Sequence, residues 1–302
     1  MNVFNQMVAR YGLGESKRNS TYEVMQEIIL AGLYRGGFFN KAAFYGGTCL
    51  RIFHDMKRFS EDMDFSLIAP DVDFKLEDYF LSIIQEFQAV GKEVVISKKE
   101  KRTYGRVESA FLKENSAVYD VKFQTEKSIK IKIEVDVDPP MKFDTEQKLL
   151  LLPYSFMTRC FVLPDLYAGK MHALVFRKWK QRVKGRDWYD FEWYVRKGVK
   201  LNFNHLRERI RQFDGIDMSR DLFIEKLKER LADTDINLAR QDVLPFIQNP
   251  EELEICILVS KRTEYKIRRC KTLNLYSNGK EETQISQLQD KCRNGAVARR
   301  IN

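Results

Sequence analysis

The sequence predicts an α+β fold: an N-terminal half built around a short sheet, a helical C-terminal half, and a basic tail. Three observations carry that prediction. Ile129, Ile131, Ile133, Val135 and Val137 alternate with Lys130, Lys132, Glu134 and Asp136, the period-two pattern of a strand with one buried face. Beyond about residue 160 the apolar spacing becomes helical. Hydrophobic residues make up 44% of the 302 and aromatics 12%, enough for a full core and too much for wholesale disorder. At roughly 100–200 residues per domain this length suits two domains, or one with a large appendage. The expected division is an α+β domain over 1–160, a helical domain over 161–265, and a basic, poorly ordered tail over 266–302.

The elements follow in order. Ser20-Thr21-Tyr22-Glu23 reads as a capping box opening a helix that ends near Gly36-Gly37. Lys41–Tyr45 is a short strand, Gly46-Gly47-Thr48 a turn, and Cys49–His54 the start of a helix. Asp62–Leu67 alternates acidic and apolar residues, as a half-buried strand does. Phe74–Gln88 carries a helical stripe at 79, 80, 83, 84 and 87. Strand-like runs follow at 93–97, 105–112, 117–125 and 129–137, the last stopped by Asp138-Pro139-Pro140. Pro164-Asp165 opens a helix through about Lys180. After a Lys/Arg/Gly hinge at 182–186, a helix from Asp187 to Arg196 is closed by Gly198. Further helices are expected near 203–213, 219–231, 237–247 and 250–260.

Charge is unevenly spread. The net charge is +9, and residues 261–302 alone carry +7. A second basic stretch holds Lys170, Arg177, Lys178, Lys180, Arg182, Lys184 and Arg186 with no acid between Lys170 and Arg186. One-sign surfaces of this kind attract polyanions such as nucleotide phosphates or RNA, and also serve as plain solvated helix faces. The five cysteines (Cys49, Cys160, Cys256, Cys270, Cys292) are odd in number and lack CxxC spacing, so they form neither a disulfide frame nor a zinc site. His54, His172 and His205 are too scattered for a His-rich metal site. No apolar run nears the ~20 residues of a membrane span, and MNVFNQMVAR lacks a signal peptide's apolar stretch. A reduced, cytoplasmic setting is expected.

The chemistry concentrates in Tyr45-Gly46-Gly47-Thr48-Cys49-Leu50-Arg51 and Arg58-Phe59-Ser60-Glu61-Asp62-Met63-Asp64. Two glycines let backbone N–H groups approach a phosphate. The Thr48 hydroxyl can add a hydrogen bond, and a helix start just after favours the anion. Asp62 and Asp64, two apart on a strand, point to one face, where they repel unless a cation lies between them. Hard divalent cations bind such oxygens jointly with nucleotide phosphates. Glu134 and Asp136, on the polar face of a later strand, are both candidates for a third carboxylate, either to take a second metal or to act as base toward the attacking hydroxyl. Lys170, Leu174 and Arg177 share one helix face, and Lys170 can neutralise a leaving pyrophosphate. Asp187 can cap its helix, orient Lys170 or join the site, and capping is the simplest of these.

Gly46-Gly47-Thr48-x-Leu50-Arg51, then Arg58-x-Ser60-x-Asp62-x-Asp64, then Lys170-x-x-Ala173-Leu174, then Arg186-Asp187-x-x-Asp190, in this order, resemble the AbiEii/AbiGii toxin family of nucleotidyltransferases with the DNA-polymerase-β-like fold. The resemblance spans about residues 20–200. It implies a mixed sheet flanked by helices, with a nucleotide cleft between that domain and a helical one. It also implies Mg²⁺- or Mn²⁺-dependent transfer of a nucleoside monophosphate from an NTP, in some members to the 3′ acceptor end of tRNA, blocking translation. By the same resemblance Asp62 and Asp64 bind the metal, and Gly46, Gly47 and Thr48 hold the triphosphate, with Arg51, Ser60 and Lys170 beside them. Glu134 or Asp136 supplies the strand carboxylate, and Asp187 matches the family's late aspartate. The partner implied is an antitoxin that is a DNA-binding transcriptional repressor. A modifier of protein or small molecules, and an NTP- or RNA-binding module without turnover, remain the rival readings.

Overall fold

Tyr45 passes without a loop from a strand into a helix, and that junction lies inside a sheet that has seven strands among the described residues. The structure, a computed structural model, describes residues 2–11, 16–98, 116–123, 129–177 and 183–249. The strand expected at 105–112, the helix at 250–260, the tail at 266–302, and Lys178, Lys180 and Arg182 lie outside the described residues.

The strands are β1 (Ala42–Tyr45), β2 (Met63–Leu67), β3 (Val94–Lys98), β4 (Ser116–Phe123), β5 (Lys130–Asp136), β6 (Thr145–Leu150) and β7 (Phe156–Phe161). Their order across the sheet is β3-β4-β5-β2-β1-β7-β6. β1 runs parallel to β7 and β2 parallel to β5, while the other pairs are antiparallel. The sheet is therefore mixed, as the family resemblance implied. Ile131, Ile133 and Val135 are fully buried, as their alternation predicted. The β6–β7 hairpin is an addition, since the residues between Pro140 and 160 carried no expected element.

The helices are α1 (Val3–Ala9), α2 (Lys17–Arg35), α3 (Gly46–Phe53), α4 (Phe80–Ala89), α5 (Leu163–Phe176), α6 (Gly185–Lys197), α7 (Phe203–Asp214), α8 (Arg220–Asp233) and α9 (Ile236–Val243). α2 is buried without interruption from Ser20 to Leu33 and packs against β5, β7 and α4. Its N-cap is Ser16, whose hydroxyl accepts from the Asn19 N–H at 3.2 Å. The capping box expected at Ser20-Thr21 is corrected: both hydroxyls sit inside the helix and donate back to the carbonyls of Ser16 and Lys17. α2 does end at Gly36, and Gly37 takes a φ of 78°.

β1 meets α3 directly because Gly46 adopts a φ of 83°, a left-handed conformation costly for residues with a Cβ. The expected turn at 46–48 is thus the first turn of α3. Among the described residues after β7 the elements are helices, α5 packing on α6 and α7, and α6 on α9. Gly185 gives α6 its close approach to α9, because a Cβ there would run into the Ala239 carbonyl.

Candidate active site

The sheet and the helices after it face each other across a cleft of about 630 Å³. This lies within the size of small-molecule sites. One wall is acidic and comes from the sheet: Asp62, Asp64, Glu134 and Asp136, with Lys132 among them. The other is basic and comes from the helices: Lys170, Arg177, Lys184, Arg186 and Arg209. Gly46, Gly47 and Ser60 line the end where α3 begins, and a helix start of this kind favours an anion beside it.

Sheet register explains the acidic wall. Asp64 pairs with Tyr45 on β1 and with Glu134 on β5, and Ser66 pairs with Asp136. Paired residues on neighbouring strands share a face. Burial pushes the Asp64 carboxyl up to about 6, and the charges of Glu134 and Asp62 add to that push. Lys132 and Lys170 work against it without cancelling it. Asp62 is exposed and lies one residue before β2. Asp136 is only 3% exposed and faces Tyr45 and Arg209. Of the two candidates for a third carboxylate, Glu134 is the one beside Asp64.

Among the described residues, no three His, Cys, Asp or Glu side chains are placed to hold a metal ion by themselves. Mg²⁺ asks for less, binding through one or two carboxylates together with substrate phosphates. Asp62 and Asp64 fit that donor set: beyond the effect of burial, the charges of Glu134 and Asp62 also press on the Asp64 carboxyl, and a cation there would relieve them.

The glycines are held at close quarters. A Cβ on Gly46 would collide with the Asp64 carboxylate, and one on Gly47 would meet Arg58 Nη2 at 2.8 Å and Ser60 Oγ at 2.9 Å. Thr48 and Arg51, expected to contact nucleotide, are committed elsewhere. Thr48 is fully buried, donates its hydroxyl to the Asp62 carbonyl, and lies 3.0 Å from Ser60 Oγ. It ties α3 to the strand that carries the aspartates. Arg51 donates to Glu23 at 2.8 Å and to the carbonyls of Met56 and Lys57. Buried Gln26 of α2 fastens the same segment, donating to the carbonyls of Ser60 at 2.9 Å and Glu61 at 3.1 Å.

Lys170 lines the cleft and is oriented by Asp190, not by Asp187. Its Nζ is 2.8 Å from Asp190 Oδ2. Asp190 is fully buried and also receives Arg58, with Nε and Nη2 donating at 2.5 and 2.7 Å. Burial works against the Asp190 charge, but Arg58 and Lys170 outweigh it and hold the carboxyl below its ordinary range. Asp187 lies in the first turn of α6 and not at its N-cap, which is Lys184. Its carboxylate takes a hydrogen bond from Arg177 at 2.7 Å, pinning the end of α5 at the cleft. Leu174, expected on the Lys170 face, is fully buried, and Ala173 lines the cleft instead.

Sequence reasoning missed Arg209, Lys132 and Tyr45 as cleft residues, and gave Arg58 and Asp190 no role beyond their motif. Lys132 could have been found, since it shares the polar strand face with Glu134. Arg209 sits on α7 with no local pattern to mark it.

A sequence model of the family described as nucleotidyl transferase AbiEii toxin, type IV toxin–antitoxin system, matches residues 28–255. No curated protein matches the chain. Among solved structures, JHP933 from Helicobacter pylori aligns with a TM-score of 0.49 and 16% identity, over 84% of this chain and 95% of that one. MenT4, a nucleotidyltransferase toxin from Mycobacterium tuberculosis H37Rv, aligns with a TM-score of 0.47 and 19% identity, over 84% and 98%.

Proposed function

Since the chain belongs to the AbiEii nucleotidyltransferase toxin family of type IV toxin–antitoxin systems, we propose that its cleft moves a nucleoside monophosphate from an NTP to the 3′ end of tRNA and so stops translation. The observation that carries this reading is the pairing of walls. The Asp62/Asp64 strand and the glycine-started helix α3 face a lysine fixed by a buried aspartate. Triphosphate charge is spread along several ångströms, and this cleft offers a separate neutralising group for each part of it.

Each residue then has a task. The α3 N–H groups at Gly46 and Gly47 and the Ser60 hydroxyl hold phosphate oxygens. Asp62 and Asp64 hold Mg²⁺, or Mn²⁺ in its place. The ion supplies charge neutralisation and Lewis acidity at the phosphates. Lys170 meets the charge that develops on the leaving pyrophosphate, and Asp190 keeps its ammonium in position. In this reading Glu134 accepts the proton of the attacking hydroxyl. Arg177, Lys184 and Arg186 guide the acceptor's phosphate backbone toward the cleft. The setting proposed is the cytoplasm, where tRNA and NTPs are found, and no helix among the described residues is long and apolar enough to cross a membrane. The antitoxin proposed is a transcriptional repressor.

The test is transfer from four α-³²P-labelled NTPs with Mg²⁺ into total cellular RNA and protein, wild type beside Asp64→Ala. Label in a tRNA-sized band, absent in the variant, is the expected result and names the nucleotide. Label confined to protein would replace the acceptor. A fully active Asp64→Ala protein of native fold would end the metal-site reading.

A further inference from the structure

One cation already stands among the carboxylates of the sheet wall. Lys132 and Glu134 leave the same face of β5, and Lys132 Nζ is 2.6 Å from Glu134 Oε2. The parallel register sets Met63 opposite Ile133 and Asp64 opposite Glu134. Lys132 therefore lies one step further down, on the row of Asp62. The lysine lines the cleft and is 29% exposed, so its ammonium is held in place without being sealed from substrate. Burial works against its charge, but Glu134, then Asp62 and Asp64, hold it above the ordinary lysine range.

The charge arithmetic is simple. Of the carboxylates on this wall, Asp62, Asp64 and Glu134 lie on the row of Lys132 or the next one and bring three negative charges, and Lys132 offsets one. The remaining two equal a single divalent cation. Two cations of the facing wall have carboxylate anchors of their own: Lys170 is bound to Asp190 and Arg177 to Asp187. Asp136 is turned toward Tyr45 and Arg209, one row beyond Glu134.

We propose that Lys132 is a built-in cation standing where a second metal ion would otherwise pair with Glu134, so that without nucleotide the protein binds one divalent ion, at Asp62 and Asp64. This rests on the metal-and-triphosphate reading above. A lysine ammonium is a compact point charge suited to this role. It supplies positive charge at a fixed position without its own coordination sphere. Lys132 would then contact the reacting phosphate or the attacking hydroxyl directly.

The experiment is a Mn²⁺ titration of the intact chain without nucleotide, with free Mn²⁺ read by electron paramagnetic resonance. Circular dichroism and thermal melting serve as fold controls. Wild type is expected to bind one Mn²⁺ per chain, and Lys132→Met two. The double variant Lys132→Met/Glu134→Gln should return to one. Lys132→Gln, which keeps a polar side chain, gives a second route to the two-ion state should the methionine variant fold poorly. Two ions on the wild type, or one on a folded Lys132→Met, would overturn the proposal while leaving the metal reading intact. No Mn²⁺ bound by folded wild type would instead overturn the metal reading itself, and this inference with it.

Discussion

The buried charge cluster at the back of the cleft offers the sharpest test. Asp190→Asn removes the single carboxylate shared by Arg58 and Lys170 while keeping shape and volume. Asp190 is 0% exposed and the Arg58 side chain 2%. Arg58 donates two hydrogen bonds to the Asp190 carboxylate, at 2.5 and 2.7 Å, the bidentate geometry in which arginine–carboxylate pairs are strongest. Water cannot take over the lost interaction at that depth. Removing one partner of a buried pair leaves an uncompensated charge and costs roughly 3–5 kcal/mol. That is a large share of the about 5–15 kcal/mol that holds a typical domain together. The assay is equilibrium unfolding in urea, comparing midpoint and slope with wild type. The expected result is a much lower midpoint with the slope retained. Arg58→Met/Asp190→Leu, which removes the charges together, is expected to recover most of the loss. A cost below about 1 kcal/mol for Asp190→Asn, the level of an exposed pair, would refute the reasoning, because it would mean that water reaches Arg58.

Three further outcomes follow from the same geometry. Thr48→Val should cost about 1 kcal/mol in urea unfolding, because it removes the hydroxyl that the part-buried Asp62 carbonyl accepts from, and transfer should fall with it as the aspartate strand loosens. Stability should drop on acidification through His205, which is 1% exposed with Nδ1 donating to the Met141 carbonyl at 2.9 Å and Nε2 without a hydrogen-bond partner. Burial and the Arg209 charge pull this imidazole from 6.5 down to about 3, so the unfolded chain takes up the proton first; the loss begins below 6.5, reaches roughly 2 kcal/mol by about pH 5, and should be much smaller in His205→Gln, as pH-dependent thermal melting would show. Transfer to RNA should weaken steeply as salt rises, and Arg177→Gln/Lys184→Gln/Arg186→Gln should flatten that dependence; a salt slope unchanged in the triple variant would remove these residues from the acceptor path.

Much of the site is written in local sequence, and the exceptions have physical causes. The Ile129–Val137 alternation is legible because one face is wholly buried, and the strand carrying Asp62 and Asp64 because it shows the same period. β6 was not legible, since its burial alternates only between exposed and half-buried along Thr145–Leu150, which gives an edge strand no apolar face to announce it. β7 takes its place from pairing beside β1, a contact between distant parts of the chain. Ser20 resembled a cap because a helix does begin nearby, yet Ser16 is the residue that meets a free N–H. Thr48 was read as a phosphate ligand from its place after two glycines. Spacing alone cannot tell a hydroxyl facing the cleft from one facing the core. The Asp190 role depends on a partner 132 residues away.

That separation also sets an order in time. During synthesis Arg58 and the glycine-started helix emerge long before Asp190 exists. At roughly 5–20 residues per second the gap amounts to about 7–26 seconds. Through that interval Arg58 has no carboxylate to settle against, and Lys170, once made, has nothing to aim it. A ribosome making this protein therefore carries an unfinished cleft until the segment bearing Asp190 has cleared the exit tunnel. Stalled chains ending before that residue should be open to protease around Arg58, and those extending well past it should be resistant.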